Sequence, residues 1–238
     1  LWHTILTLIV ALTGVLSVGA AAMTVEPAKP GPPRSAEITS PDRQIVVGVF
    51  LDDEGFANYK ITRNGAPVIA PSRMSFLFSD QDPMGRGLSI ADVQTAAAKT
   101  TWEQPWGERR FVNDTHNELA VTLISRGSAN PMQDEPQARK VTVRFRVFND
   151  GVGFRYEFAA RPDGSDWRIM EERTEFNIGQ DGTAHWIQAG DWNRYEQIYK
   201  RTAIDAVSQA HTPMTMVLAD GTHVSIHEAA LVDYSGMW

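Results

Sequence analysis

The stretch Val141-Thr142-Val143-Arg144-Phe145-Arg146-Val147-Phe148, then Asn149-Asp150-Gly151-Val152-Gly153, then Phe154-Arg155-Tyr156-Glu157-Phe158, sets the fold class of this chain. Its apolar residues recur at every second position, the period of a strand with one face buried. The Asn, Asp and Gly residues between the two runs supply turn chemistry, so the whole segment reads as a β-hairpin. Gly151 and Gly153 are both expected at positive φ, where a side chain would be strained. The loop joins strand to strand and offers no helix N-terminus, so its Asp-Gly-Val-Gly run is not a phosphate loop.

Working outward, the same period holds. Ile45, Val47 and Val49 alternate with Val46, Gly48 and Phe50, a strand apolar on both faces. Tyr59 to Arg63 alternates and meets Asn64-Gly65, a two-residue hairpin signal, before Pro67-Val68-Ile69. Leu119 to Ile124 is another strand, and Met214 to Leu218 with His223 to His227 flank Ala219-Asp220-Gly221-Thr222 as a further hairpin. Only Ile90 to Thr100 is read as helical, with a short helical turn over Ala203 to Ala210. Strands punctuated by Gly and Asp, with almost no amphipathic helix, define an all-β domain, read here as one large β-sandwich.

The N-terminus reads differently. Residues 1–25 contain no Asp, Glu, Lys or Arg, and an apolar run from Ile5 to Leu12 leads to Gly19-Ala20-Ala21-Ala22. Ala20 and Ala22 suit a signal peptidase site, so residues 1–22 are read as a signal peptide with export to the periplasm or beyond, and no membrane span after cleavage. Residues 23–37 follow as a Pro-rich linker, including Pro27-Ala28-Lys29-Pro30-Gly31-Pro32-Pro33, and the folded region is expected to begin near Ile38.

Composition excludes several functions. The net charge of −7, without any run of Lys or Arg, argues against a nucleic-acid partner. The absence of cysteine removes disulfides, thiolate metal sites and cysteine nucleophiles. His116, His185, His211 and His223 lack metal-ligand spacing, and no Gly-x-Ser-x-Gly elbow is present.

Two tryptophan clusters carry the remaining chemistry: Trp102-Glu103-Gln104-Pro105-Trp106-Gly107-Glu108 and Trp192-Asn193-Arg194-Tyr195-Glu196. Indole rings beside carboxylates, amides and guanidinium groups can stack on sugar C–H faces and bind hydroxyls. On spacing alone, however, Trp102, Trp106 and Trp192 are read as large core or loop-anchoring residues. His227-Glu228 ends an apolar strand, so the two side chains must point to opposite faces. A carboxylate there is an oxygen donor of the kind calcium takes, though spacing alone favours a solvated or ion-paired Glu.

These motifs, with Ser40-Pro41-Asp42, Pro67 to Arg73, Asn117-Glu118-Leu119, Thr212-Pro213-Met214-Thr215 and Ile226 to Ser235, resemble the N-terminal domain of glycoside hydrolase family 97. They occur in the family's order from Ser40 to the end. The resemblance implies a large, galactose-mutarotase-like β-super-sandwich over residues 38–238, packed in the complete protein against a C-terminal (β/α)8 barrel. Such a barrel needs about 250 residues, and on this reading the sequence stops before it. The family's catalytic carboxylates lie on the barrel, so no catalytic residue is assigned here. The resemblance further implies hydrolysis of α-glucoside or α-galactoside oligosaccharides, with Glu228 helping to hold Ca2+ shared with the barrel. Trp192, Tyr195, Glu196 and His227 are its expected substrate-side neighbours. Two alternatives stand beside this reading: a saccharide-binding module without catalysis, and a mutarotase-like enzyme using His227 with Glu196 as its acid–base pair.

Overall fold

The structure is a computed structural model that describes residues 31–126, 138–161, 163–191 and 193–238. The signal-peptide reading of residues 1–22 lies outside the described residues, as does most of the linker. Strand β1 (Ser35–Thr39) opens ahead of the expected Ile38. It is followed by β2 (Ile45–Leu51), β3 (Ala57–Arg63), β4 (Ala66–Met74), β5 (Phe76–Phe78), β6 (Leu88–Glu103), β7 (Phe111–Arg126), β8 (Ala138–Val147) and β9 (Val152–Phe158). Then come β10 (Ile169–Glu172), β11 (Gly182–Trp186), β12 (Lys200–Ala203), a 3-10 turn over Ile204–Ala206, β13 (Met214–Leu218) and β14 (His223–Ile226). All the strand pairs are antiparallel, as expected for an all-β chain built from hairpins. Among the described residues, no helix is long and apolar enough to cross a membrane.

Two four-stranded sheets, ordered β1-β2-β3-β4 and β6-β7-β8-β9, contribute one shared core. Alternation decides which side chains enter it. Val47 and Val49 from β2, Leu119, Val121 and Leu123 from β7, and Val141, Val143, Phe145 and Val147 from β8 are buried at every second position. The aromatic part of that core is continuous: Tyr59 contacts Phe145, Phe154 and Phe176, and Phe76 meets Tyr156 and Phe158 edge-on. The buried phenol of Tyr59 donates to the Glu175 carbonyl at 2.7 Å, so its polar end is satisfied. Burial, then the neighbouring Glu175 charge, pushes that phenol well above its ordinary pKa.

Several family-like motifs turn out to be structural. The Ser40 hydroxyl donates to Asp42 at 2.6 Å and accepts from the Ile45 amide at 3.0 Å, closing the β1–β2 turn. The Asp42 amide then donates to the Asn149 side chain at 3.0 Å, tying that turn to the β8–β9 loop. Asn117 donates to the Thr39 carbonyl at 2.8 Å, linking the two sheets. On the outer face, Arg144 bridges Glu118 and Glu157, with Arg146 on Glu118 and Arg155 on Glu157.

Two local expectations are corrected and a third is narrowed. The Ile90 to Thr100 segment is not helical but lies inside β6, paired with β7 along its length. Its alanines favour a helix in isolation, and the long partner strand overrides that preference. Over Ala203 to Ala210, only Ile204–Ala206 forms a helical turn. The β8–β9 hairpin is present, but Gly151 and Gly153 are not among the glycines at positive φ. Gly153 is instead a strand residue opposite Arg146, because the turn falls earlier, over Phe148 to Gly151. By contrast, Asn64 and Gly65 adopt φ of 50° and 81°, the two left-handed residues that their hairpin turn demands.

Candidate functional site

A third four-stranded sheet, with shorter strands, has the order β12-β11-β13-β14 and positions the candidate residues. Its core consists of Ala184, Trp186, Met216 and Leu218, with Val224 and Ile226 packed at the side. The register pairs Met214 with Ile226 and Met216 with Val224. Carried one alternation further, it sets Thr212 against Glu228, just beyond the strand ends. Glu228 therefore follows Val224 and Ile226 inward and is half-buried, whereas His227 follows His223 and Ser225 outward and is exposed. The predicted split between the pair is what the structure shows.

Two donors meet the Glu228 carboxylate. The Thr212 hydroxyl donates to Oε2 at 2.9 Å, and the Met237 backbone amide donates to Oε1. The chain after β14 thus turns back on Glu228, and Tyr234 fastens the same segment by donating to Glu172 at 2.6 Å. Burial and then the adjacent Glu172 raise the Tyr234 phenol well above its usual pKa.

The segment after β11 is brought alongside the segment before β13. Ala189 and His211 donate from their amides to the Gln209 and Ile187 carbonyls at 3.0 and 3.1 Å. Tyr195 lies on this pairing: its hydroxyl donates to the Thr212 carbonyl at 3.3 Å, and its ring meets His211 at 4.7 Å. Tyr195 and Glu228, predicted from separate motifs, are therefore joined through Thr212. His227 donates from Nδ1 to the Glu228 carbonyl, 3.0 Å away, and takes no part in that connection. Glu196 is exposed, without a hydrogen bond or ion pair to the described residues. Trp192 lies outside the described residues.

Thr212 and His211 were not singled out from the sequence as site residues. The signal for Thr212 was available, since the turn over Ala219 to Thr222 fixes the register that places it opposite Glu228. The other tryptophan cluster is neither core nor anchor. Trp102 and Trp106 sit at the tip of the β6–β7 hairpin, with Trp106 83% exposed. They emerge because both strands run past the sandwich, and Gln104 closes the tip through the Arg109 and Arg110 carbonyls at 2.6 and 2.9 Å.

As a metal site, the arrangement is partial. The Glu228 carboxylate offers the hard oxygen donor calcium takes, but calcium needs six to eight. Among the described residues, no group of three or more His, Asp or Glu side chains is placed to hold an ion. The donor type fits; the number requires ligands from elsewhere.

Fold and site together define a class: an antiparallel β-sandwich domain with a donor-held glutamate beyond the last strand of a small side sheet. The chain belongs to glycoside hydrolase family 97, whose N-terminal family model, "Glycosyl-hydrolase 97 N-terminal", matches residues 38–238. It is similar to a solved family 97 enzyme from Pseudoalteromonas sp. strain K8, at 39% identity and a TM-score of 0.76, covering 85% of this chain and 30% of that one. That enzyme has been solved in complex with panose, as a variant, and in complex with acarbose. A β-arabinopyranosidase shares the fold, with 20% identity and a TM-score of 0.69 over 82% of this chain and 32% of its own. The chain thus spans about a third or less of the solved proteins it matches.

Proposed function

We propose that this chain is the N-terminal domain of an exported α-glycosidase acting on α-glucoside or α-galactoside oligosaccharides. In this reading it contributes Glu228 to a calcium site completed by carboxylates of a C-terminal (β/α)8 barrel. The observation that carries it is the Glu228 carboxylate, held from both oxygens beyond the last strand of the small sheet. Its oxygens remain able to accept further contacts, since each has a second lone pair. The panose and acarbose complexes of the Pseudoalteromonas enzyme support an oligosaccharide substrate. The uncharged, apolar residues 1–25 support export.

When bound, the ion supplies charge stabilisation and orients the substrate. The residues of this chain orient and support. Thr212 and the Met237 amide fix the Glu228 carboxylate, while exposed Tyr195, bonded to the Thr212 carbonyl, offers a ring for a sugar face. The exposed Ile198, Val232 and Trp238 side chains supply apolar area for contact with the rest of the protein. The mutarotase-like alternative pairs His227 with Glu196, and among the described residues no hydrogen bond joins the two: His227 Nδ1 donates to the Glu228 carbonyl, and Glu196 is exposed.

The test is hydrolysis of α-linked oligosaccharides by the full-length protein, with calcium and after chelation. The expected result is calcium-dependent activity that falls at least about 100-fold in Glu228→Gln, since losing a ligand costs no less than losing an outer partner of one. Unchanged turnover in that variant overturns the assignment of Glu228. No hydrolysis of any α-linked substrate overturns the reaction class.

A further inference from the structure

The hydrogen bond between Thr212 and Glu228 bears on how the carboxylate is presented. A glutamate side chain ends in a broad, two-fold torsion, so its carboxylate plane is poorly fixed by rotamer preference alone. Here each oxygen receives one donor from a different direction, Thr212 Oγ1 at 2.9 Å on Oε2 and the Met237 amide on Oε1. Two donors on the two oxygens remove the freedom to rotate about that last bond. Thr212 is itself well fixed. Its β-branched side chain restricts χ1, its carbonyl accepts from Tyr195 at 3.3 Å, and the preceding His211 amide is bonded to Ile187 at 3.1 Å. The His211 ring is backed by Tyr195 at 4.7 Å, with its Nε2 buried.

Resting on the reading of Glu228 as a calcium-facing carboxylate, we propose that Thr212 is a positioning residue: its hydroxyl sets the plane in which Glu228 presents its remaining lone pairs. Thr212 does not touch the ion or the sugar. It acts through Glu228, as outer partners of metal ligands do, and the loss of such partners costs about 10- to 100-fold in metal affinity. The role is chemical rather than steric: the hydroxyl is required, and the γ-methyl is dispensable.

Calcium titration of the full-length protein by calorimetry, after removal of bound metal, tests this directly. Thr212→Val keeps the shape and loses the donor, and its calcium Kd is expected to rise about 10-fold. Thr212→Ser keeps the donor and is expected to bind within about threefold of the parent, because only a methyl is lost. Melting temperatures in chelator should match for all three proteins, and only the calcium-induced increment should shrink in the Val variant. Equal calcium affinity in Thr212→Val and the parent, with affinity lost in Glu228→Gln, overturns the role of Thr212 alone. Parental affinity in Glu228→Gln overturns the calcium reading of Glu228 and this inference with it. A lowered chelator melting temperature in Thr212→Val, with Ser equally weak in calcium binding, assigns Thr212 to folding and overturns positioning.

Discussion

The two-sheet sandwich and the small β11–β14 sheet are built from the same alternating pattern but on different scales. The sandwich includes two strands of 16 residues and a continuous aromatic cluster. The small sheet has strands of four or five residues and four buried apolar side chains. Burial scales with strand length and side-chain size, so stability resides in the first region. The candidate site is placed on the second, where nearby backbone opens at lower cost. The lesson is a division of labour: one sheet pair holds the domain together, and a lightly built annex presents the carboxylate.

The largest expected effect tests the strong half. Phe145→Ala removes a fully buried ring that touches Tyr59 and Phe154, and should cost about 3–5 kcal/mol in urea denaturation. A loss below about 1 kcal/mol would break the comparison. The next addresses the weak half. A Cβ at Gly182 would lie 2.3 Å from the Val217 carbonyl oxygen, so Gly182→Ala must push β11 from β13. It should cost about 1–3 kcal/mol, as overpacking does. Hydrogen exchange should localise the damage, speeding amides of β11 and β13 while those of β7 and β8 stay protected.

A smaller effect sharpens the electrostatic side. The Arg144 hydrogen bonds, opposed by partial burial and aided by Arg155, bring Glu157 from 4.5 down to about 2. A carboxylate depressed on folding stabilises above its unfolded value and loses that contribution as pH falls from about 4.5 towards 2. The unfolding free energy should decline across that window, and Arg144→Met should flatten the decline by no more than about 1 kcal/mol, given the partial exposure of the network. The smallest effect belongs to the hairpin tip. Trp106→Ser should change stability by less than about 0.5 kcal/mol in the same urea assay, because the ring is almost wholly exposed.

Much of the sandwich was legible because alternation is a local signal. Val141 to Phe158 declared its hairpin, and Asn64-Gly65 its turn type. Where local preference and partner disagreed, the partner won: Ala96, Ala97 and Ala98 sit opposite Glu118, Asn117 and His116 in a strand that their composition disfavours. The site was legible by halves. Alternation set His227 and Glu228 on opposite faces, the structure alone showing that Glu228 is the inward one, and nothing local joined Tyr195 to Glu228. That link passes through Thr212, whose partners lie 17 residues before it and 16 after it in sequence. Side chains such as Trp102 and Trp106 defeated a reading based on residue type, since exposure depends on how far two paired strands overrun the sheet beneath them.

The Met237 amide closes its return loop on Glu228 itself rather than on a neighbouring strand. A latch of this sort ties loop length to the orientation of a single side chain. Apart from Tyr234, which is anchored to Glu172, residues 229–236 can therefore vary in kind far more readily than in number: inserting or deleting one residue there would drag the amide off its acceptor and swing the glutamate, even with the sheets intact.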